Sequence, residues 1–167
     1  MVEPDGLAMA AVCGLWCGAC FLRQAGEEGE AALEAWARRL GQTPEETRCQ
    51  GCRSASVSAH CRHCGFRDCA AGRGLTFCAE CADFPCERLA AFQAERPHRL
   101  DLWRDAARIR EIGGEAWLAE IPARYACPSC GRINHAYSLS CPGCARVPAH
   151  AYGAEHGGTV KAFMARR

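Results

Sequence analysis

Fifteen cysteines in 167 residues carry whatever chemistry this sequence has. The most regular set lies near the C-terminus. Cys127 and Cys130 enclose Pro128 and Ser129, ten residues follow, and Cys141 and Cys144 enclose Pro142 and Gly143. A C-x2-C turn lets two thiolates face one ion while backbone N–H groups point at the sulfurs. Two such turns supply the four tetrahedral ligands of a structural zinc site. Pro128 and Pro142 favour the turns, and Gly131 admits a left-handed residue after the second ligand. The spacing therefore predicts a zinc ribbon on Cys127, Cys130, Cys141 and Cys144. His135 lies inside its loop, in a shell that four sulfurs already complete.

The other eleven cysteines fall between residues 13 and 86. Cys13, Cys17 and Cys20 open the chain as C-x3-C-x2-C, and Cys49 and Cys52 follow. The pattern C-x2-C-x4-C then occurs twice, as Cys61, Cys64, Cys69 and as Cys78, Cys81, Cys86, offset by seventeen residues. Each copy is too short to fold without metal, so the pair reads as one two-lobed unit. Joining the C-x2-C pairs in order unites 17/20 with 49/52 and 61/64 with 78/81, leaving Cys13, Cys69 and Cys86. Thiolates at the N-terminal sites suit either zinc or an iron–sulfur cluster, and spacing does not choose. If the three remaining cysteines converge, they form a centre with an open position, or one filled by His60, His63 or His98. The plainer arrangement divides ligands three and one instead of two and two. C-x3-C-x2-C is also the spacing of radical S-adenosylmethionine enzymes, but no alternation of strands and helices follows it to build the barrel those enzymes need.

Compartment separates metal from disulfides. The uncharged run Leu7 to Leu22 is preceded by Glu3 and Asp5 and by no basic residue, the wrong flank for a secretion signal, and it is short for a membrane span. It reads as a buried, metal-nucleating segment of a cytoplasmic protein with no membrane association. Thiols there stay reduced, and an odd cysteine count fits disulfides poorly. The formal net charge of +1 points to no strongly charged partner. Charge is uneven, however. Residues 122–167 carry Arg124, Arg132, Arg146, Lys161, Arg166 and Arg167 against Glu155 alone, six against one, a net +5.

Helices must position these ligands. Leu33, Trp36, Ala37 and Leu40 recur at helical spacing with Glu30, Glu34, Arg38 and Arg39 opposite, and Gly41 ends the run. Thr43, Pro44, Glu45 and Glu46 form the cap and first turn of a second helix. Further helices are expected over 86–94, over 100–112 up to the Gly113–Gly114 stop, and around Trp117. The fold class expected is a small metal-stabilised α+β domain over 1–121, with cysteine knuckles and short hairpins, followed by the zinc ribbon and basic tail over 122–167.

The order of these cysteines, with Gly14, Leu15 and Trp16 inside the first turn and Phe84, Pro85, Glu87 and Leu89 around Cys86, resembles a cysteine-rich family of bacteria and archaea known as domain of unknown function 3795. Some members carry a C-x2-C ribbon tail. The resemblance implies metal binding and a prokaryotic cytoplasmic setting, and it implies no activity.

Two classes of function follow. One is a zinc-scaffolded binding or adaptor module whose helical middle or basic tail meets a partner protein. The other is an iron–sulfur electron-transfer or accessory protein for a redox enzyme. A nucleic-acid partner rests only on the basic tail, where Tyr125, Tyr137, Tyr152 and Phe163 do not interleave with the basic residues. No Ser/His/Asp set, phosphate loop or paired carboxylates point to an enzyme, beyond an unpaired thiolate.

Overall fold

The computed structural model describes residues 7–166, so Glu3, Asp5 and Arg167 lie outside the described residues. Helix α1 (Phe21–Glu28) leaves directly from the Cys17–Cys20 turn, with Leu22 and Ala25 buried. Helix α2 (Glu30–Leu40) packs back on it. Leu33 and Ala37 are buried, Glu30 sits in the first turn and Arg38 and Arg39 in the last, complementing the helix dipole. Gly41 closes α2 at a left-handed φ of 66°. Thr43 then caps α3 (Pro44–Thr47) reciprocally: the Glu46 N–H donates to Thr43 Oγ1 at 3.2 Å and the Thr43 N–H to Glu46 Oε2 at 2.9 Å.

Short helices α4 (Ala59–Arg62) and α5 (Gly65–Gly72) carry the first C-x2-C-x4-C copy. The second copy runs from a 3₁₀ turn, Cys78–Glu80, to the N-cap of α6 (Glu87–Ala94). Helices α7 (Leu102–Ile112) and α8 (Gly114–Glu120) pack on each other, α7 also packs on the Cys78–Glu80 turn, and α9 (Pro122–Tyr125) leads into the ribbon.

The expected α+β character is corrected to a helical fold. Among the described residues β pairing is confined to isolated bridges, Ala10 with Trp16 and Ala126 with Ile133. Each knuckle closes through hydrogen bonds within its own turn, and the chain leaves it into a helix or loop instead of a partner strand. The C-terminal tail also differs from expectation, because Ala151–Met164 forms helix α10. Gly153, Gly157 and Gly158 lower its intrinsic propensity. Burial of Tyr152 and Val160 and a cap at His150, whose Nδ1 accepts the Gly153 N–H at 2.8 Å, outweigh that loss.

One hydrophobic core draws on both sides of residue 121, including Ala10, Ala19, Phe77, Trp117, Tyr125 and Tyr152. Phe77 meets Trp117 edge to face at 6.2 Å, and Tyr152 stacks on Tyr125 at 5.3 Å. A second cluster of Ala11, Cys13, Leu89 and Leu102 lies against Phe66, Phe84 and Trp103, beneath the N-terminal cysteines. No helix among the described residues is long and apolar enough to cross a membrane.

Candidate metal centres

The ribbon consists of two matching knuckles. In the first, the Cys127 N–H donates to Arg132 O at 2.8 Å and the Gly131 N–H to Cys127 O at 2.9 Å. In the second, the Cys141 N–H donates to Arg146 O at 2.9 Å and the Ala145 N–H to Cys141 O at 2.8 Å. The residue after each second ligand is left-handed, Gly131 at φ 75° and Ala145 at φ 61°. Facing each other, the knuckles place Cys127 Sγ 3.5 Å from Cys144 Sγ and Cys130 Sγ 3.6 Å from Cys141 Sγ, with all four sulfurs within 4.8 Å of one another. Tetrahedral Zn–S bonds of about 2.3 Å put sulfurs about 3.8 Å apart, so this set fits one ion. Burial pushes the Cys141 thiol up, but the Gly143 and Cys144 N–H groups and the Cys130 and Cys127 sulfurs outweigh it and bring it down to about 6. Cys127 is lowered too, whereas Cys144, against the lowering pull of the Arg146 N–H, is pushed up to about 12 by the neighbouring sulfurs, so thiolate character concentrates on Cys127 and Cys141.

The N-terminal cysteines follow a different plan. The Cys52 N–H donates to Cys17 Sγ at 3.3 Å, which joins two segments 35 residues apart. Cys20 occupies the N-cap of α1, and burial raises its thiol against the opposing pull of the Arg23 and Leu22 N–H groups. Burial lifts Cys17 to about 12 and Cys61 to about 11, and neighbouring sulfurs add to both: Cys20, Cys52 and Cys49 for each. Cys61 thus has sulfurs of the first lobe around it, whereas Cys64, its partner in the C-x2-C pair, acts on both Cys52 and Cys78. Burial also raises Cys13, whose sulfur neighbours are Cys52, Cys78 and Cys64. Burial lifts Cys78 to about 11, with Cys86, Cys69, Cys64 and Cys81 adding to the rise. The chain runs through the Cys49–Cys52 knuckle at Gly51, φ 118°, where a Cβ would collide with the carbonyl oxygen of Ala8.

No three of the sulfurs from Cys13 to Cys86 lie mutually within 4.8 Å, so this region forms no closed set of the ribbon's kind. Of the three cysteines left by ordered pairing, Cys69 and Cys86 line one pocket, together with Cys78 and Cys81, and Cys13 is not among its walls. The candidate histidines join no metal-capable group. His60 and His63 are exposed. His98 Nδ1 lies 2.6 Å from the Tyr137 hydroxyl, and burial, with Arg99 and Arg96 nearby, lowers it to about 3.

One group was not legible in the sequence: Asp101, Glu155 and His156 bring ligand atoms within 4.8 Å of one another. Asp101 Oδ1 lies 2.7 Å from His156 Nε2, and Arg124 Nε donates to Asp101 Oδ2 at 2.9 Å. Arg104 also pairs with Asp101, and both arginines reach Glu155. The guanidinium groups already supply the positive charge, so the cluster ties α10 to the start of α7 and needs no cation. Residues 54 apart in sequence show no pattern that would reveal it.

A family model described as protein of unknown function (DUF3795) matches residues 9–91. The chain belongs to this family through that segment. The DUF3795 segment spans all eleven N-terminal cysteines and stops short of the ribbon, α7, α8 and α10. We found no significant match to a curated protein or to a solved structure.

Proposed function

We propose that this chain is a zinc-scaffolded binding or adaptor module that works in a reducing, cytoplasmic compartment. The observation that carries it is the ribbon: four sulfurs at single-ion spacing, each knuckle braced by its own backbone hydrogen bonds. Four thiolates leave a zinc ion no open position, so the ribbon serves structure and not catalysis. The scaffold it stabilises is continuous with the N-terminal region. The Ala136 N–H of the ribbon loop donates to Ala19 O at 3.1 Å, and His135 and Tyr137 pack edge-on against Phe21 of α1. The partner we infer is a protein, met by the helical middle or the basic tail. A nucleic-acid partner would need that tail's basic residues free, whereas Arg124 is engaged with Asp101 and Glu155 and Arg132 with Glu28.

Zinc analysis of the full chain and of a Cys127→Ser/Cys141→Ser variant tests the scaffold. We expect the variant to lose one equivalent. Proteins cross-linked to the chain in its own cells should be lost with the same variant, and an unchanged set would sink the adaptor reading. A second reading, an iron–sulfur accessory protein, is favoured by one observation, the pocket walled by Cys69, Cys78, Cys81 and Cys86.

A further inference from the structure

Two cysteine sets in this molecule each number four and differ in spacing. The ribbon sulfurs stand at 3.5 and 3.6 Å across the site, as a single tetrahedral ion requires. Cys69, Cys78, Cys81 and Cys86 surround a common pocket, yet no three of their sulfurs lie mutually within 4.8 Å. A cluster interposes iron and sulfide between its ligands and spreads four thiolates to roughly 6 Å apart, whereas one zinc ion draws them together.

The surroundings of the pocket favour the larger group. Its wall is apolar where Phe66, Phe84 and Leu89 face it, which suits bridging sulfide better than water. Phe66 is fixed by an edge-to-face contact with Phe92 at 5.1 Å, and Phe84 by one with Trp103 at 5.7 Å. Charge of both signs meets the sulfurs, because Asp83 also lines the pocket and pairs with Arg73 at 2.5 Å. Arg73 Nη1 donates to Cys81 Sγ at 3.1 Å, and Arg88 also lines the pocket while lying over the Phe66 ring at 5.3 Å. Hydrogen bonds to ligand sulfur and nearby cations stabilise the anionic cluster and set its potential. The ligands arrive on a short frame: Cys78 opens a 3₁₀ turn, Cys81 closes it, Cys86 caps α6, and Cys69 lies within α5.

We propose that Cys69, Cys78, Cys81 and Cys86 hold an iron–sulfur cluster and not a single zinc ion. The proposal deepens the second reading above and is independent of the ribbon zinc. It separates Cys69 from the other two cysteines of its C-x2-C-x4-C copy, Cys61 and Cys64, which do not line this pocket.

The test uses the full chain, produced with ample iron and purified without oxygen. Iron and acid-labile sulfide in equal amounts, with broad absorption near 400 nm, is the expected result. A Cys69→Ala/Cys86→Ala variant should lose that iron and sulfide. Both residues are exposed, so its helical circular dichroism should match the parent, and its ribbon zinc should remain. Zinc without sulfide in the parent overturns the proposal. So does iron that survives this variant and instead follows Cys17→Ala or Cys49→Ala. Loss of zinc alone in the Cys127→Ser/Cys141→Ser variant reports on the ribbon, so the two readings fail separately.

Discussion

In the ribbon, eighteen consecutive residues bring four sulfurs to single-ion spacing, and each knuckle carries its own hydrogen bonds. Between Cys13 and Cys86, eleven sulfurs are drawn from several separate turns and helices, and no three of them lie mutually within 4.8 Å. The first region is a local device that one metal ion can order. The second depends on helices and a buried core to set the sulfurs at a distance, so its geometry is a property of the fold. The contrast teaches that cysteine count and C-x2-C spacing do not by themselves say what a site holds. What decides is whether the chain is free to close on one ion.

Metal removal should separate the regions most sharply. Structural zinc contributes on the order of 10 kcal/mol in small sites. Stripping it with a strong chelator should therefore abolish hydrogen-exchange protection at the Gly131 and Ala145 amides while α2 keeps its protection. Ribbon amides that stay protected would show that the core and not the ion holds the knuckles.

Gly51→Ala attacks the other region alone. Both the positive φ and the approach to Ala8 O oppose a Cβ, at a cost on the order of 3 kcal/mol. Thermal unfolding should fall accordingly, and N-terminal metal should be lost with ribbon zinc retained. A variant with parental stability and metal content would mean that the Cys49–Cys52 turn does not order its lobe.

A change in the shared core should move both regions together. Asp105 is buried on α7, and burial, reinforced by Asp101, raises its carboxyl to about 7. A raised folded pKa stabilises most below the unfolded value, and that stability is lost progressively as pH rises from about 4 through about 7. Asp105→Asn escapes this loss, so its advantage over the parent should grow across that window, to on the order of 2 kcal/mol, and then level off. Denaturant titrations at pH 5 and pH 8 that give the same difference would contradict the assignment.

The smallest expected effect compares the two knuckles. Ala145 occupies the left-handed position that Gly131 fills in the first knuckle. Ala145→Gly should stabilise the zinc-loaded chain by up to about 1 kcal/mol, and Gly131→Ala should destabilise it by a similar amount. Equal responses in the same direction would break the equivalence of the knuckles.

The sequence alone determined what is local. Helix α2 with its Gly41 stop, the Thr43 capping box, α6 to α8 and the four ribbon ligands all follow from residue periods and short spacings, because one turn of backbone creates them. Tertiary structure decided the rest. α10 forms despite three glycines because Tyr152 and Val160 find a core, and the expected hairpins shrink to bridges because their flanks enter helices. Asp101 meets His156 only when α10 packs beside the Pro97–Arg99 turn that precedes α7. Cys69 and Cys86 share a pocket with Cys78 and Cys81, while Cys61 and Cys64 are not among its walls. Which thiolates share a space depends on how helices pack across many intervening residues, and no spacing rule along the chain encodes that distance.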